Sequence, residues 1–394
     1  WKIPEWQKGG DAMKRLQKII WLLLLVLLCG CTAQVQPDVL PEALPETVSE
    51  PIPEAAQETR ENPEPVLEEA VIEEPEEEYA LLPAEPVWLL GRLTETWSAG
   101  ETQWAERGSV LEAIAPLRLS DAEALLDGLP SVSYLQQDYV PLADVEQTFG
   151  LEWGQEPDGL RYLAKRKTVG EIPDGYNVPI LMYHAVGDDI WGYSDLFVST
   201  ANMEAQLKWL QENGYETIWF SDLAHVEDYE KPVILTFDDG YDDNYTVLYP
   251  LLEQYQAKAT IFVIGGAMGS AHKMTREQVY ELAASGLVSI QSHTYTHGNL
   301  SAMDEETLRQ EMERSNAALA AATGQIPYVL CYPEGKYSHL TMEVAKDYYA
   351  FALRMDGWTY QTGMDRYQVP RSYISRRTAI YDFNWYVGQA GKAR

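Results

Sequence analysis

Two short strings in the second half of the chain contain the residue types that a hydrolytic metal site needs. Thr-Phe-Asp-Asp-Gly places Asp238 and Asp239 after an apolar run, and Ser-His-Thr-Tyr-Thr-His places His293 and His297 after another. Two imidazoles and one carboxylate form a three-ligand set for a borderline divalent cation and leave coordination positions open. The second carboxylate is then free to act as a base toward water, so the pattern predicts metal-assisted hydrolysis.

Each string also has a purely structural interpretation. Asp-Asp-Gly after a strand is often only a turn, and two histidines four residues apart can simply cap a loop. Their joint occurrence, each at the end of an apolar run typical of a strand, favours a shared metal site.

The surrounding sequence alternates strand and helix patterns from about residue 177. Strands are predicted at 178–182, 215–220, 233–237, 259–264, 287–291, 329–332, 349–353 and 369–374, and helices at 200–210, 244–255, 275–284 and 304–322. Repeated β–α units of this kind predict an α/β fold, either a parallel barrel or a doubly wound sheet. In both folds the carboxyl ends of the strands gather catalytic groups at one edge.

Roughly residues 178–374 resemble the NodB-homology polysaccharide deacetylases, carbohydrate esterase family 4. The two strings occur here in the family's order, and Val-Pro-Ile-Leu-Met-Tyr-His at 178–184 resembles the branch that deacetylates poly-N-acetylglucosamine. Tyr-Pro-Glu-Gly-Lys-Tyr at 332–337 resembles the same branch. The resemblance implies a distorted (β/α) barrel over residues 177–394. It also implies an enzyme that removes N-acetyl groups from an N-acetylglucosamine-containing polysaccharide, either an exopolysaccharide or peptidoglycan.

The resemblance also implies roles for individual residues. Asp239, His293 and His297 would hold the divalent metal, zinc first and cobalt or nickel as alternatives. Asp238 would take a proton from the attacking water. Arg371 would hold Asp238 ionised, although it could equally be an arginine at a surface strand end.

The general acid is less directly indicated. Family members usually supply a histidine from a late Leu-x-His string, and no histidine follows His339 in this chain. His184 is the candidate, because a barrel can bring its first strand beside its last. The alternative is that His184 is a packed residue with no role in proton transfer.

The substrate groove is expected near Glu334, where the related string usually has tyrosine in place of the acid. A backbone N–H at this turn would stabilise the oxyanion. Tyr332, Tyr241, Tyr337 and Trp358 are expected to border the groove, where aromatic rings can stack on sugars. Core packing would explain any one of them equally well.

The N-terminal region predicts export and lipidation. Met13 begins a basic run to Lys18, which precedes the apolar residues 19–28 and then Leu-Cys-Gly-Cys. This pattern resembles a bacterial lipoprotein signal over residues 1–31, with Cys31 as the lipidated residue and residues 1–12 as an upstream artefact. An ordinary secretory signal or a membrane anchor is the alternative. We therefore expect an extracytoplasmic protein, attached by lipid to the bacterial cell membrane.

Charge and composition divide the rest of the chain. The formal net charge is -32, which disfavours a nucleic-acid partner. Residues 36–85 hold 16 acidic residues against Arg60 alone, so residues 32–85 are expected to be a disordered acidic tether. Residues 86–167 predict a small stalk-like α+β module, which weakly resembles the N-terminal module of copper amine oxidases.

Two other functions fit the same site residues. An O-acetyl esterase acting on xylan-like polymers would use the same groups, and a carbohydrate-binding remnant would keep the fold without turnover. The adjacent carboxylates favour an enzyme, because binding alone needs no base beside a metal. The oligomeric state is not indicated by the sequence.

Overall fold

The computed structural model describes residues 80–393. The predicted signal peptide with Cys31, the artefactual residues 1–12 and nearly all of the tether lie outside these described residues. Within residues 80–393, no helix combines the length and the apolar character that a membrane crossing requires.

The N-terminal part of the described chain is an α+β module. Its strands are β1 (Leu82–Leu89), β2 (Arg92–Ala99), β3 (Thr102–Glu106), β4 (Val132–Tyr134), β5 (Gln137–Pro141), β6 (Leu151–Gln155) and β7 (Arg161–Arg166). Its helices are α1 (Arg107–Ile114), α2 (Ala122–Asp127) and α3 (Leu142–Phe149). Because β1 already begins at Leu82 and pairs with β2, residues 82–85 belong to the sheet and not to the predicted tether.

The larger part of the chain alternates strands with helices, as the sequence predicts. Its strands are β8 (Tyr176–Val178), β9 (Ile180–Tyr183), β10 (Ala185–Val186), β11 (Phe197–Val198), β12 (Glu216–Thr217), β13 (Pro232–Phe237), β14 (Ala259–Val263), β15 (Val288–Ser292), β16 (Gln325–Ile326), β17 (Val329–Cys331), β18 (Phe351–Leu353), β19 (Tyr360–Gln361), β20 (Ser372–Tyr373) and β21 (Gly391–Lys392). Its helices are α4 (Thr200–Glu212), α5 (Tyr249–Tyr255), α6 (Arg276–Ser285), α7 (Glu305–Thr323), α8 (His339–Ala345) and α9 (Ile380–Val387).

A curled parallel sheet forms the centre of this part. Its strand order is β18-β17-β15-β14-β13-β9-β20, and every pairing along this path is parallel. The segment that ends in β20 also closes the sheet, because Val369 bridges Leu353 at the end of β18 while Ser372 pairs with Leu181 of β9. The predicted distorted (β/α) barrel is confirmed.

Short-range patterns failed where tertiary contacts override them. The predicted strand 215–220 is reduced to β12, and a 3₁₀ turn begins at Phe220. The predicted helix 244–255 begins with a π-helical turn, Asn244–Leu248, before α5. Pro250 lies in the first turn of α5, where its missing N–H is tolerated.

The two parts of the described chain share one sheet. Strand β16, which follows α7, pairs in parallel with β7 of the N-terminal module. Gly324 ends α7 in a left-handed conformation, and its carbonyl accepts a hydrogen bond of 2.8 Å from the N–H of Lys165. The module is therefore hydrogen-bonded directly to the barrel.

Candidate active site

The adjacent carboxylates lie where the chain leaves β13. Strand β13 is buried throughout, as expected for a central strand of a parallel sheet. Asp239 then has a φ of 74°, and Gly240 follows with a φ of 66°, a conformation that favours glycine. An added Cβ at Gly240 would also make a tight 3.2 Å contact with the side chain of Val263. This tight turn directs two successive carboxylates to the carboxyl edge of the sheet.

Asp239, His293 and His297 converge on one point of this edge. The Oδ1 atom of Asp239 lies 3.4 Å from the Nε2 atom of each histidine. Ligand atoms about 2.1 Å from a tetrahedral zinc lie about 3.4 Å apart, so the observed spacing fits a cation between these three atoms. The described residues thus include a donor set of two nitrogens and one oxygen that suits a divalent metal.

The tautomer of His293 is set by its second ring nitrogen. Nδ1 lies 2.9 Å from the backbone carbonyl oxygen of Cys331. Because a carbonyl only accepts, Nδ1 donates the proton and Nε2 directs its lone pair toward Asp239. His293 thus offers the unprotonated nitrogen through which a neutral imidazole binds a metal.

The loop that carries His297 is organised by Glu311 on α7. Its carboxylate accepts hydrogen bonds from the N–H of Tyr295 at 3.1 Å, from the N–H of Thr296 at 2.9 Å and from the Thr296 hydroxyl at 2.8 Å. His297 itself has a φ of 60° and donates its N–H to the hydroxyl of Thr294. Sequence reasoning missed Glu311, although an acid on the buried side of an amphipathic helix was an available signal.

Asp238 is paired with Arg371 in the barrel interior. Nη1 and Nη2 of Arg371 lie 2.7 Å from Oδ1 and Oδ2 of Asp238. The guanidinium also donates to the hydroxyl of Thr236 and the carbonyl of Arg354, and it contacts the Sγ atom of Cys331 at 2.9 Å. Arg371 is 0% exposed, so it is a buried partner of Asp238 and not a surface strand-end arginine.

The pair keeps Asp238 ionised. Burial alone would raise the pKa of Asp238, but the charge and hydrogen bonds of Arg371 lower it below its ordinary value. The pKa of Arg371 is raised because the carboxylate outweighs the cost of burial. Asp238 can therefore accept a proton at neutral pH.

His184 lies at the end of β9, on the same edge. It is 8% exposed, and its Nδ1 atom has no hydrogen-bond partner among residues 80–393. Burial lowers the pKa of His184, while the charges of Asp238 and Asp239 act in the opposite direction. The structure thus places a neutral imidazole with an unused nitrogen near both carboxylates.

The segment after His184 is fixed by two buried polar residues. Asn244 donates to the backbone carbonyl of His184 at 3.0 Å, and Asp243 accepts from the N–H of Val186 at 3.1 Å. Neither residue was predicted from the sequence. Both follow the Asp-Asp-Gly string closely, so the same loop that presents the carboxylates also positions His184.

Comparisons with known proteins now bear on this geometry. Residues 225–350 match the family model described as polysaccharide deacetylase. The chain contains a polysaccharide deacetylase domain.

Individual relatives cover different parts of the chain. The Bacillus subtilis protein YxkH is 37% identical over 174 residues, covering 43% of this chain and 61% of its own length. Poly-beta-1,6-N-acetyl-D-glucosamine N-deacetylase of Escherichia coli K12 is 24% identical over 252 residues, covering 52% of this chain and 37% of its own length. The chain therefore spans less than two thirds of these relatives.

A solved structure agrees in fold. The polysaccharide deacetylase BC0361 from Bacillus cereus has a TM-score of 0.51 and 27% sequence identity, covering 65% of this chain and 84% of its own. The fold similarity thus extends well beyond residues 225–350.

The turn at Glu334 follows closely after Cys331, whose backbone carbonyl contacts His293 of the deacetylase domain. Glu334 has a φ of 53°, and its exposed side chain pairs with Lys336. The backbone N–H groups of Gly335 and Lys336 donate hydrogen bonds to the carbonyls of Tyr332 and Pro333 in the same turn. Within the described residues, the N–H of Glu334 has no such acceptor, which leaves it free to bind a ligand.

Two of the aromatic residues expected at the deacetylase groove, Tyr332 and Tyr337, stack on each other. Tyr332 is 0% exposed, and its hydroxyl donates to the backbone carbonyl of Tyr367 at 3.0 Å. Its ring is therefore part of the core and cannot stack on a sugar, which corrects the expectation. Tyr337 stacks on this ring at 4.5 Å and is partly buried.

The other two aromatic residues are more accessible. Tyr241, two residues beyond Asp239, is half-buried and lies under the Nζ atom of Lys273 at 3.7 Å. Trp358 is 60% exposed and packs edge-on against Trp385 of α9. The groove assignment of both remains a prediction.

Proposed function

We propose that this protein is a metal-dependent hydrolase that removes N-acetyl groups from an N-acetylglucosamine-containing polysaccharide. The observation that carries the proposal is the metal-ligand triad of Asp239, His293 and His297 directly beside the ion pair of Asp238 and Arg371. The E. coli relative is named for N-deacetylation of poly-beta-1,6-N-acetyl-D-glucosamine, which supports this substrate class. Both an exopolysaccharide and peptidoglycan carry the required acetamido group.

The triad would hold the metal through one carboxylate oxygen and two Nε2 atoms. When bound, a divalent metal of the zinc type supplies Lewis acidity that polarises the acetyl carbonyl and makes water more acidic. The hydrogen bond from His293 to the carbonyl of Cys331 fixes the ring orientation that this role requires.

Asp238 acts as the general base of the proposed reaction. Arg371 uses one lone pair on each carboxylate oxygen, so the remaining lone pairs can accept the proton of the attacking water. The fork also prevents the carboxylate from rotating. Arg371 is a positioning residue for this step.

Two further groups complete the reaction. The free N–H of Glu334 supplies a hydrogen bond to the oxyanion of the tetrahedral intermediate. His184 would give a proton to the leaving amine. Because burial lowers the pKa of His184, the imidazole is neutral at rest and would first have to take up the proton that the attacking water releases.

The setting of the enzyme is also part of the proposal. The predicted lipidation of Cys31 and the acidic sequence that follows would place the catalytic part outside the cytoplasm, attached to the bacterial cell membrane. Homologues act on polysaccharide, which is consistent with this location. The module between the tether and the barrel would serve as a spacer or contact the wall.

Acetate release tests the proposed function. The full chain, loaded with zinc, is incubated with N-acetylglucosamine oligomers beside an Asp238→Asn variant and acetylated xylan. Release from the oligomers that falls about 10²- to 10⁴-fold in the variant supports the deacetylase and the base. Release from xylan alone, or none despite bound zinc, contradicts it.

A further inference from the structure

A cavity of about 520 Å³ lies between the N-terminal module and the barrel, away from the catalytic edge. Its barrel wall includes Val288 and Ser289, which begin β15, whereas His293 follows the end of that strand. Four residues of strand separate these levels by about 13 Å. The cavity is therefore distinct from the candidate active site.

Positive charge dominates the lining of this cavity. The charged residues that line it are Arg118, Lys165, Arg166 and Lys167, and none of the described residues lining it is acidic. This is unexpected in a chain with a formal net charge of -32. Like charges that share a concave wall destabilise the fold unless an anion binds between them.

Three of these cations have no carboxylate partner among residues 80–393. Arg166 is neutralised by Glu152 through a bidentate pair. Arg118 donates one N–H group to the carbonyl of Ser285, which leaves most of its fork unused, and Lys165 donates to the carbonyl of Phe149.

Lys167 differs most from the other three cations that line the cavity. Its ammonium makes no hydrogen bond with any described residue. Burial lowers the pKa of Lys167, while the charge of Asp222 acts in the opposite direction. It lies 5.1 Å from the ring centre of Trp219, which also lines the cavity. Lys258, which pairs with Asp222 at 2.8 Å, lies 4.9 Å from the same ring centre, so two ammonium groups border Trp219.

We propose that this cavity is a second binding site, which takes an anionic glycan unit with a carboxylate or phosphate on the sugar. A volume of about 520 Å³ is in the range of small-ligand sites and admits one or two sugar units. Arg118 and Lys167 bind the anionic group, and Trp219 contacts the ring. The site holds an envelope glycan while catalysis proceeds at the opposite edge.

Calorimetric titration of the full-length protein tests this site without depending on catalysis. The probes are trigalacturonate, glucose 1-phosphate and neutral tri-N-acetylchitotriose. We expect saturable 1:1 binding of an anionic probe that weakens at least fivefold in Lys167→Gln and further in Arg118→Gln/Lys167→Gln. The two anionic probes distinguish a carboxylate ligand from a phosphate ligand.

Lys208→Gln is the matched control, because Lys208 is exposed on α4 and pairs with Glu212 at 3.8 Å. Acetate release by Lys167→Gln from short neutral oligomers is expected to stay unchanged. Equal weakening in Lys208→Gln, or no saturable binding of either anionic probe, would overturn the proposal. The proposal would also be overturned if an anionic probe bound only after the acidic residues of 36–85 were neutralised. That result would mean that this acidic segment of the chain itself occupies the cavity.

Discussion

Asp238 and Arg371 form a closed fork, with both nitrogen–oxygen distances at 2.7 Å, across the seam where the barrel closes. Arg371 lies between Val369, which bridges β18, and Ser372, which pairs with β9. The same ion pair therefore holds the proposed base and joins the last segment of the barrel to its centre.

Arg371→Met is expected to lose both stability and activity. The substitution leaves the carboxylate of Asp238 buried without its partner, which costs about 3–5 kcal/mol of unfolding free energy. Asp238 would then gain a proton and could no longer act as a base. Urea denaturation and acetate release measure the two effects.

Arg377→Met is the control for this substitution. The side chain of Arg377 is 84% exposed, and its Nε atom lies 3.6 Å from the carboxylate of Asp195. Removal of this exposed pair should lower the free energy of unfolding by less than about 0.5 kcal/mol. Similar stabilities for the two variants would show that the fork does not hold the seam.

Removal of either proposed histidine ligand should abolish tight metal binding. His293→Gln and His297→Gln each leave two of three ligand atoms, so zinc affinity should fall more than the 10- to 100-fold typical of outer-shell changes. Equilibrium dialysis with metal analysis measures this. His339→Gln, at a side chain that is 83% exposed, should bind zinc as the wild type does.

The proposed metal ligands could be located in the sequence because the information that places them is local. Each string follows an apolar run, and the carboxyl ends of parallel strands meet at one edge whichever α/β topology forms. The adjacent carboxylates and the two histidines could therefore be assigned to one site without knowledge of the strand order, while the choice of Asp239 as the metal ligand came from the family resemblance. The same alternation predicted an α/β fold but left a parallel barrel and a doubly wound sheet both open, and only the family resemblance favoured the distorted barrel.

The rest of the site depends on contacts between distant segments. Arg371 lies 133 residues beyond Asp238, and only the closure of the barrel decides whether it is buried or exposed. Tyr332 follows a strand of a sheet that is buried on both faces, so alternation could not show that its ring points into the core. The carbonyl of Cys331 gave no signal at all, because backbone acceptors are independent of residue type.

Asp243 should make the stability of the protein depend on pH. Burial raises the pKa of Asp243 to about 7, and Asp242 adds to the rise while Lys273 opposes it. Between about pH 4 and pH 7 the folded state holds a proton that the unfolded state has lost. The free energy of unfolding therefore falls as the pH rises through this window, by at most roughly 1.4 kcal/mol per pH unit.

Asp243→Asn keeps the shape and an oxygen that can accept from the N–H of Val186 and the side-chain amide of Asn244, but it cannot ionise. The variant should lose this fall in stability and exceed the wild type in unfolding free energy above pH 7. Urea titrations at pH 5, 6, 7 and 8 measure the two slopes. Parallel curves for both proteins would show that Asp243 titrates alike in the folded and unfolded states.

Gly324 is expected to control the junction between the module and the barrel. It ends α7 with a φ of 71°, and an added Cβ would clash with the backbone of Leu90. Gly214 follows α4 with a φ of 70° and has no atom within 4 Å of such a Cβ. Gly214→Ala should therefore cost only the left-handed conformation, about 1 kcal/mol, whereas Gly324→Ala adds about 1–3 kcal/mol of overpacking. Equal losses in urea denaturation would mean that β1 shifts freely away from α7, and that the shared sheet contributes little to holding the two parts together.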